Sequence, residues 1–242
     1  MRPGSPSGPE VGGGIRAPEG VWTFGGDTPR AFDDHVRRSI PGYAECHDLI
    51  LDLAEQVCPA GGRCYDLGCS TGVLTTRLSE RLGPRGVEVV GVDRDPGMIE
   101  VASGREHATQ PRYVVSAVEE MEFEAADLVV CFYTLQFVPM RHRQALLARL
   151  RSALQPYGML ILFEKTLPET GREQEIAEDA YVEFKRRNGF SNSEIVEKRR
   201  SLRGILQPLP ASSTHALLRS AGFNQITHVF RWLMFDGVIA SI

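Results

Sequence analysis

Arg63-Cys64-Tyr65-Asp66-Leu67-Gly68-Cys69-Ser70-Thr71-Gly72 opens the part of this sequence that decides the fold. A short apolar run carries the acid Asp66 near its end, a glycine-containing loop follows, and Val73 to Leu82 then shows an amphipathic helical pattern. Strand, tight turn and helix in this order begin a nucleotide-binding βαβ unit. Gly68 lets the backbone turn sharply and lets a ligand approach with no Cβ in the way. The free N–H groups of the helix start then face that ligand. Such loops are common, so the surrounding sequence has to say what this one holds.

Downstream, Gly83-Pro84-Arg85-Gly86 breaks the chain, and Val87 to Val92 reads as a buried strand ending at Asp93. Pro96 stands where a helix begins, and Gly97 to His107 carries its pattern. Tyr113 to Val115 is a short third strand and Asp127 to Tyr133 a fourth, apolar throughout as strands covered on both faces are. Arg141 to Leu154 is an amphipathic helix stopped by Pro156-Tyr157-Gly158, and Met159 to Phe163 is a fifth strand. This alternation indicates an α/β, Rossmann-like fold with a mostly parallel sheet of seven strands. Residues 169 to 207 interrupt it with two polar helical patterns that read as an insertion. Thr214 to Ala221 is a last helix. Gln225 to Trp232 and Leu233 to Ile239 then form a C-terminal antiparallel hairpin that completes the sheet.

Upstream, Tyr43 to Val57 repeats apolar residues at helical spacing, so a helix precedes the first strand. Val21 to Tyr43 reads as an irregular lead-in whose Trp22, Phe24 and Phe32 cover the core or close over a ligand. Residues 1 to 20 are dominated by Gly, Pro and Ser and are expected to be a flexible tail, leaving 21 to 242 as one domain.

Composition narrows the function. With 42% hydrophobic and 24% charged residues the 242-residue chain can bury a full core. A net charge of −4 argues against a general nucleic-acid binder, and no apolar run is long enough for a membrane span. The N-terminus lacks the apolar core of a secretory signal. The five cysteines form no C-x-x-C pair, so they are expected as reduced thiols in a cytoplasmic enzyme. Cys64 and Cys69 flank the loop without further ligands at metal-site spacing, and no metal is expected there. The six histidines are scattered, and none is singled out as a base.

In an open parallel sheet, ligands bind beyond the carboxyl ends of the strands where the strand order reverses. Four segments fall on that edge: 68 to 72, Asp93, 116 to 118 and 132 to 137. Asp93 follows Gly68 by 25 residues at a strand end, where a carboxylate can accept both ribose hydroxyls. Either NAD or S-adenosylmethionine (SAM) fits those features. The dinucleotide fingerprint wants G-x-G-x-x-G, whereas this loop has glycine only at 68 and 72, with Ser70 between them.

The string Asp66-Leu67-Gly68-Cys69-Ser70-Thr71-Gly72 resembles the first motif of class I SAM-dependent methyltransferases, commonly D-x-G-x-G-x-G, from which Ser70 departs. Several further stretches resemble a narrower family, the carboxy-S-adenosylmethionine synthases. They are Ser39 to Tyr43, Tyr65 to Ser70, Thr134-Leu135-Gln136-Phe137, Arg143 to Leu147, Glu164-Lys165, Phe184 to Ser191 and Lys198-Arg199. The resemblance runs from about Trp22 to the C-terminus and includes the helical insertion, which methyltransferases at large do not share.

It implies a homodimer that converts SAM and prephenate into carboxy-SAM and phenylpyruvate. It further implies that Tyr43, Gly68, Cys69, Ser70 and Asp93 hold SAM, with Asp66, Arg94, Ala117, Val118 and Phe132 completing the cofactor-binding set. Arg199 from the partner subunit's insertion would grip the added carboxylate through two parallel hydrogen bonds. Two positions depart from that family: Ala117 replaces an Asp that contacts adenine, and Phe132 replaces an Asn at the end of the fourth strand.

With Tyr133, Phe137, Tyr181 and Trp22, Phe132 could build an apolar cation–π cage around the sulfonium, so Arg199, Phe132, Tyr133 and Tyr181 are the candidate catalytic residues. Such a cage suits an alternative chemistry, in which the cofactor's own amine attacks its γ-carbon and releases methylthioadenosine and azetidine-2-carboxylate. A small-molecule methyltransferase and a non-catalytic SAM-binding module are further alternatives. The basic residues Lys185, Arg186, Arg187, Lys198, Arg199, Arg200 and Arg203 read first as a solvated helix face, then as contacts to an anionic substrate or a second subunit, and last as an RNA surface, which a net charge of −4 disfavours.

Overall fold

A computed structural model describes residues 8–22, 28–106 and 108–242. Phe24 of the lead-in and His107, the expected end of the helix after Pro96, lie outside the described residues.

The chain begins with α1 (Thr28–Ser39) and α2 (Tyr43–Val57), followed by β1 (Arg63–Leu67), α3 (Val73–Leu82), β2 (Glu88–Asp93) and α4 (Pro96–Ser103). Next come β3 (Arg112–Val115), β4 (Ala126–Phe132), α5 (Met140–Ala153) and β5 (Leu154–Leu167). The last third holds α6 (Gly171–Arg187), α7 (Asn192–Ser201), β6 (Leu209–Pro210), α8 (Ala211–Ser220), β7 (Gln225–Trp232) and β8 (Phe235–Ser241).

The main sheet runs in the order β3-β2-β1-β4-β5-β8-β7, with the short β6 pairing only with the end of β5. β1 to β5 are mutually parallel, and β8 joins β5 antiparallel before turning back as β7. The expected class I methyltransferase architecture, with its terminal hairpin, is therefore present. The order reverses between β1 and β4, which opens a crevice beyond Leu67 and Phe132.

Side chains of the central strands alternate between two apolar layers. Tyr65, Leu67, Val129 and Leu160 pack with Leu146, Leu150 of α5 and Leu218 of α8. Cys64, Leu128, Val130 and Ile161 pack with Ile50 of α2 and Leu78 of α3. Burial on both faces contributes about 1.5–3 kcal/mol for each large apolar side chain and leaves the strand ends as the place for polar chemistry. Among the described residues no helix is long and apolar enough to cross a membrane.

Two expectations are corrected. Residues 8 to 20 are not a loose tail: Val11, Ile15 and Ala17 are buried with Trp22 against Leu202 and Ile205, and Glu10 forms a bridge with Arg16. Three well-spaced apolar side chains suffice because the stretch just after α7 offers them a surface, which composition could not show. The lead-in is also more regular than expected, since Thr28 to Ser39 is the helix α1. Its buried positions include His35 beside Val36, so the apolar periodicity that marks a helix is broken by a polar residue on the inward face.

Candidate active site

β1 ends in a left-handed turn. Gly68 has φ 74°, and a Cβ there would overlap Oγ1 and Cγ2 of Thr134. Thr134 comes that close because its hydroxyl donates to the Leu67 carbonyl at 2.6 Å, tying the loop after β4 to the loop after β1. Gly72 has φ 76° and leaves room for the Tyr113 hydroxyl and Ala102 at 2.6 and 2.7 Å from where a Cβ would be. Ser70, at the position where the common motif has glycine, also lies in the left-handed region with φ 51°. A non-glycine residue there costs about 1 kcal/mol. Its N–H donating to Asp93 Oδ2 at 2.9 Å offsets that cost.

Asp93 stands at the end of β2 with both oxygens engaged, Oδ1 accepting from the Asp95 N–H at 2.9 Å. Burial raises its pKa, and the backbone donors oppose the rise. Asp66, one strand over, accepts from the Thr75 hydroxyl at 2.6 Å. Burial pushes it up to about 7, with the Thr75 hydrogen bond acting against the shift and the Asp93 charge adding to it.

A second network, which the sequence did not reveal, pins α1 over this loop. Asp33 accepts from the Thr71 hydroxyl and pairs with Arg105, whose Nε donates to the Thr71 carbonyl. Reading the lead-in as irregular hid Asp33, because its role follows from the helix that carries it.

The loop after β4 is held just as firmly. The Lys165 N–H donates to Gln136 Oε1 at 2.8 Å, and the buried Arg143 donates to the carbonyls of Val138, Gln136 and Gln207 at 2.8 to 3.0 Å. Burial raises the Glu164 carboxyl to about 8, against the opposing charge of Arg143.

Between these loops and the inserted helices lies a cavity of about 620 Å³. Tyr43, Asp66, Gly68, Cys69, Ser70, Asp93, Arg94, Val118 and Phe132 all line it, as do Tyr133, Tyr181 and Arg199. Ala117 is not among its lining residues, whereas Val118 and Glu119 are.

The cavity has an aromatic floor. The Phe132 ring lies 5.4 Å from Tyr43, 4.9 Å from His47, 4.7 Å from Tyr133 and 5.3 Å from Phe163. Trp22 and Phe137 line the same cavity, and Trp22 packs on His35. Tyr181 donates to the Ser39 carbonyl at 2.8 Å, so α6 is fastened to the end of α1. Burial lowers the pKa of both His35 and His47 to about 3 and keeps both imidazoles neutral.

The same cavity also has a cationic wall. Lys165, Lys185, Lys198, Arg199 and Arg203 all face the cavity. Lys165 and Lys185 hold their ammonium groups 5.0 and 4.3 Å from the centre of the Tyr181 ring, and Lys198 lies over Trp22. Arg199 pairs with Glu178 at 3.0 Å with its side chain 76% exposed, on the wall of its own chain's cavity. Burial, then the neighbouring charges of Lys165 and Arg199, lower Lys185 to about 7. Burial lowers Lys165 and Lys198 as well.

The basic cluster of the insertion is thus divided. Arg186 and Arg200 pair outward with Glu183 and Glu197, Lys185 and Lys198 turn inward, and Arg199 and Arg203 stand at the cavity rim, largely exposed and paired with Glu178 and Glu19. A helix at 3.6 residues per turn puts consecutive basic residues on different faces, and only the docking of α6 and α7 says which face is wet.

A parallel sheet that closes on the antiparallel pair β8-β7, with a glycine turn and a strand-end acid at its switch point, has the class I methyltransferase fold, and its relatives make the chain a SAM-dependent transferase of that fold. Residues 65–158 match the methyltransferase domain family. The chain superposes on the magnesium protoporphyrin IX methyltransferase of Synechocystis with bound SAH at a TM-score of 0.57 and 17% identity, covering 87% of this chain and 93% of that one. It superposes on human N-acetylserotonin methyltransferase in complex with SAM at 0.54 and 16%, covering 92% and 63%.

Sequence relatives are more specific. A carboxy-S-adenosyl-L-methionine synthase of Geobacter metallireducens is 37% identical over 217 residues, 86% of this chain and 88% of the relative. One of Stutzerimonas stutzeri is 35% identical over 227 residues, 90% and 92%. The chain belongs to the carboxy-S-adenosyl-L-methionine synthase family.

Proposed function

We propose that this enzyme moves a carboxyl group from prephenate to the methyl carbon of SAM, giving carboxy-SAM and phenylpyruvate. The cationic wall carries the reading. Prephenate is a dianion, and Lys165, Lys185, Lys198 and Arg199 converge on the cavity that the SAM loop also lines. Lysines crowded and buried enough to lower one another's pKa are matched by a ligand with more than one negative charge. In the balanced reaction prephenate loses its ring carboxyl and its hydroxyl, and a methyl proton of SAM leaves with that hydroxyl as water.

The roles of the chain's own residues follow from position. Asp93 takes the ribose hydroxyls, and Tyr43, Gly68, Cys69 and Ser70 shape the loop around the nucleoside. The aromatic floor of Phe132 and Tyr133 faces the sulfonium, and the inserted helices exclude water. Arg199 is exposed enough to release Glu178 and turn to a carboxylate, in its own cavity or across a homodimer interface.

One observation favours a second reading. Phe132 sits in a cluster of five rings at the position where the family has an amide, so the sulfonium meets an apolar surface. There the amine of SAM can attack its own γ-carbon. The C–S bond breaks, its electron pair goes to sulfur, the amine gives up a proton, and methylthioadenosine and azetidine-2-carboxylate result.

Incubating the purified chain with SAM, with and without prephenate, and reading products by mass spectrometry separates the two. A SAM-derived product heavier by CO2 that appears only with prephenate supports carboxylation. Methylthioadenosine formed from SAM alone, above the uncatalysed rate, overturns carboxylation in favour of cyclisation. SAM binding with no turnover in either arm overturns both. Arg199→Ala is expected to abolish carboxylation and spare cyclisation.

A further inference from the structure

On the face of the sheet turned away from the cavity, three side chains from three elements meet. They are His215 on α8, His228 on β7 and Asp236 on β8. One ligand atom of each lies within 4.8 Å of the others, and the two imidazole rings are 5.0 Å apart. Pleating explains the placement. Phe235 packs into the layer with Tyr133 and Phe163, so Asp236, one residue on, points the other way, towards α8. His228 is paired in register with Val238, which belongs to the α8 layer, and so shares that face.

We propose that His215, His228 and Asp236 bind a divalent first-row transition-metal ion, Zn²⁺ in the first instance, clamping α8 to the terminal hairpin.

Asp236 is 5% exposed, and a carboxylate so deeply placed needs a cationic partner. His228 Nδ1 stands 3.0 Å from Asp236 Oδ1, a hydrogen-bond separation that has to open only slightly to become one edge of a ligand set. Donors about 2.0–2.2 Å from a tetrahedral ion are about 3.3–3.5 Å from each other. The second observation is independent of this pair: His215 Nε2 is buried with no hydrogen-bond partner. An imidazole nitrogen buried without a partner is destabilising, and an ion between the rings satisfies it. The remaining adjustment falls to His228, which is paired with Asp236 but has a side chain that is 45% exposed.

Two neutral nitrogens and one carboxylate oxygen are the donor set of Zn²⁺, Co²⁺, Ni²⁺ or Fe²⁺ rather than Mg²⁺ or Ca²⁺, and the fourth position is left to water. Arg219 and Arg231 are close enough to act electrostatically on His215, which moderates the affinity. The site needs no part in the chemistry on SAM. It would make the hairpin and α8 one unit, and Phe235, next to the ligand Asp236, lies against Tyr133 and Tyr181 of the cavity.

The test uses the full chain, freed of metal with a chelator and titrated with Co²⁺ by absorbance and with Zn²⁺ by calorimetry. Tetrahedral Co²⁺ d–d bands and one Zn²⁺ equivalent bound below about 100 μM are expected. His228→Gln, His215→Gln and Asp236→Asn should each weaken Zn²⁺ at least about tenfold, while His142→Ala on α5 changes nothing. His228→Gln keeps the fold readable, because its side chain is half in water, and SAM binding by each variant reports that the sheet is intact. Absence of saturable binding, or binding that survives all three substitutions, as capture by the cysteines would, overturns the proposal.

Discussion

Replacing Lys185 by methionine removes one charge from the cationic wall while keeping the length of the side chain. With its ordinary pKa of 10.5 lowered to about 7, the folded protein holds this proton more weakly than the unfolded chain does. The unfolded state therefore binds more protons between about pH 7 and 10.5, so the contribution of Lys185 to stability rises as pH climbs through that window and is worst below it. The full displacement corresponds to roughly 5 kcal/mol. Partial exposure of the ammonium and relaxation around it leave about half of that, roughly 2–2.5 kcal/mol.

Against this stands the contact with the Tyr181 ring at 4.3 Å. Its loss costs about 0.5–1 kcal/mol. Desolvation wins, and Lys185→Met is expected to stabilise the ligand-free protein by about 1–2 kcal/mol at pH 7. That is a rise in Tm of about 4 °C for a chain of this size. Urea unfolding at pH 7 and pH 9 measures it directly. The variant should gain less from the higher pH than the parent, with Lys165 and Lys198 keeping part of the slope. The same substitution should weaken binding of a dicarboxylate such as prephenate at least about tenfold. A variant that is destabilised at pH 7, with an unchanged pH slope and unchanged dicarboxylate affinity, refutes the reasoning.

Gly68→Ala forces a Cβ into Thr134 at φ 74°, and a loss of about 3 kcal/mol together with SAM binding is expected by thermal melting and calorimetry. Asp93→Asn turns one acceptor into a donor facing the Ser70 or Asp95 N–H, and SAM affinity should fall about 10- to 100-fold by calorimetry, whereas a change under about threefold contradicts the ribose assignment. All five cysteines are buried and free, so a thiol reagent such as DTNB should react slowly with the native chain and with five thiols after unfolding. Fast labelling of Cys69 in native protein would show that the loop opens.

The nucleotide half was legible because its signals are local. An apolar strand, a glycine turn and an acid at the next strand end are each fixed by backbone geometry within a few residues. Gly68, Ser70 and Asp93 accordingly stand where their spacing put them, and α2 and α3 have the bounds that their periodicity gave. α1 was missed because its inward face carries His35, and with it went Asp33 and its grip on Thr71. The burial of Val11 and Ile15 was missed for a related reason, since a Gly- and Pro-rich segment orders only when another part of the chain supplies the surface.

What the chain determined alone, then, is the frame and the strand-end groups of the site: the α/β alternation, the turn after β1 and the carboxylate at the end of β2. Tertiary structure decided the rest. It chose which basic residues of α6 and α7 face inward, gathered rings from α2, β4 and β5 around Phe132, and brought His215, His228 and Asp236 to one point on the opposite face. The physical reason is separation along the chain. A turn is dictated by the φ angles its own residues tolerate, but a pocket wall or a ligand set exists only once distant segments have docked, and docking is driven by apolar area that carries no record of which polar groups it will bring together.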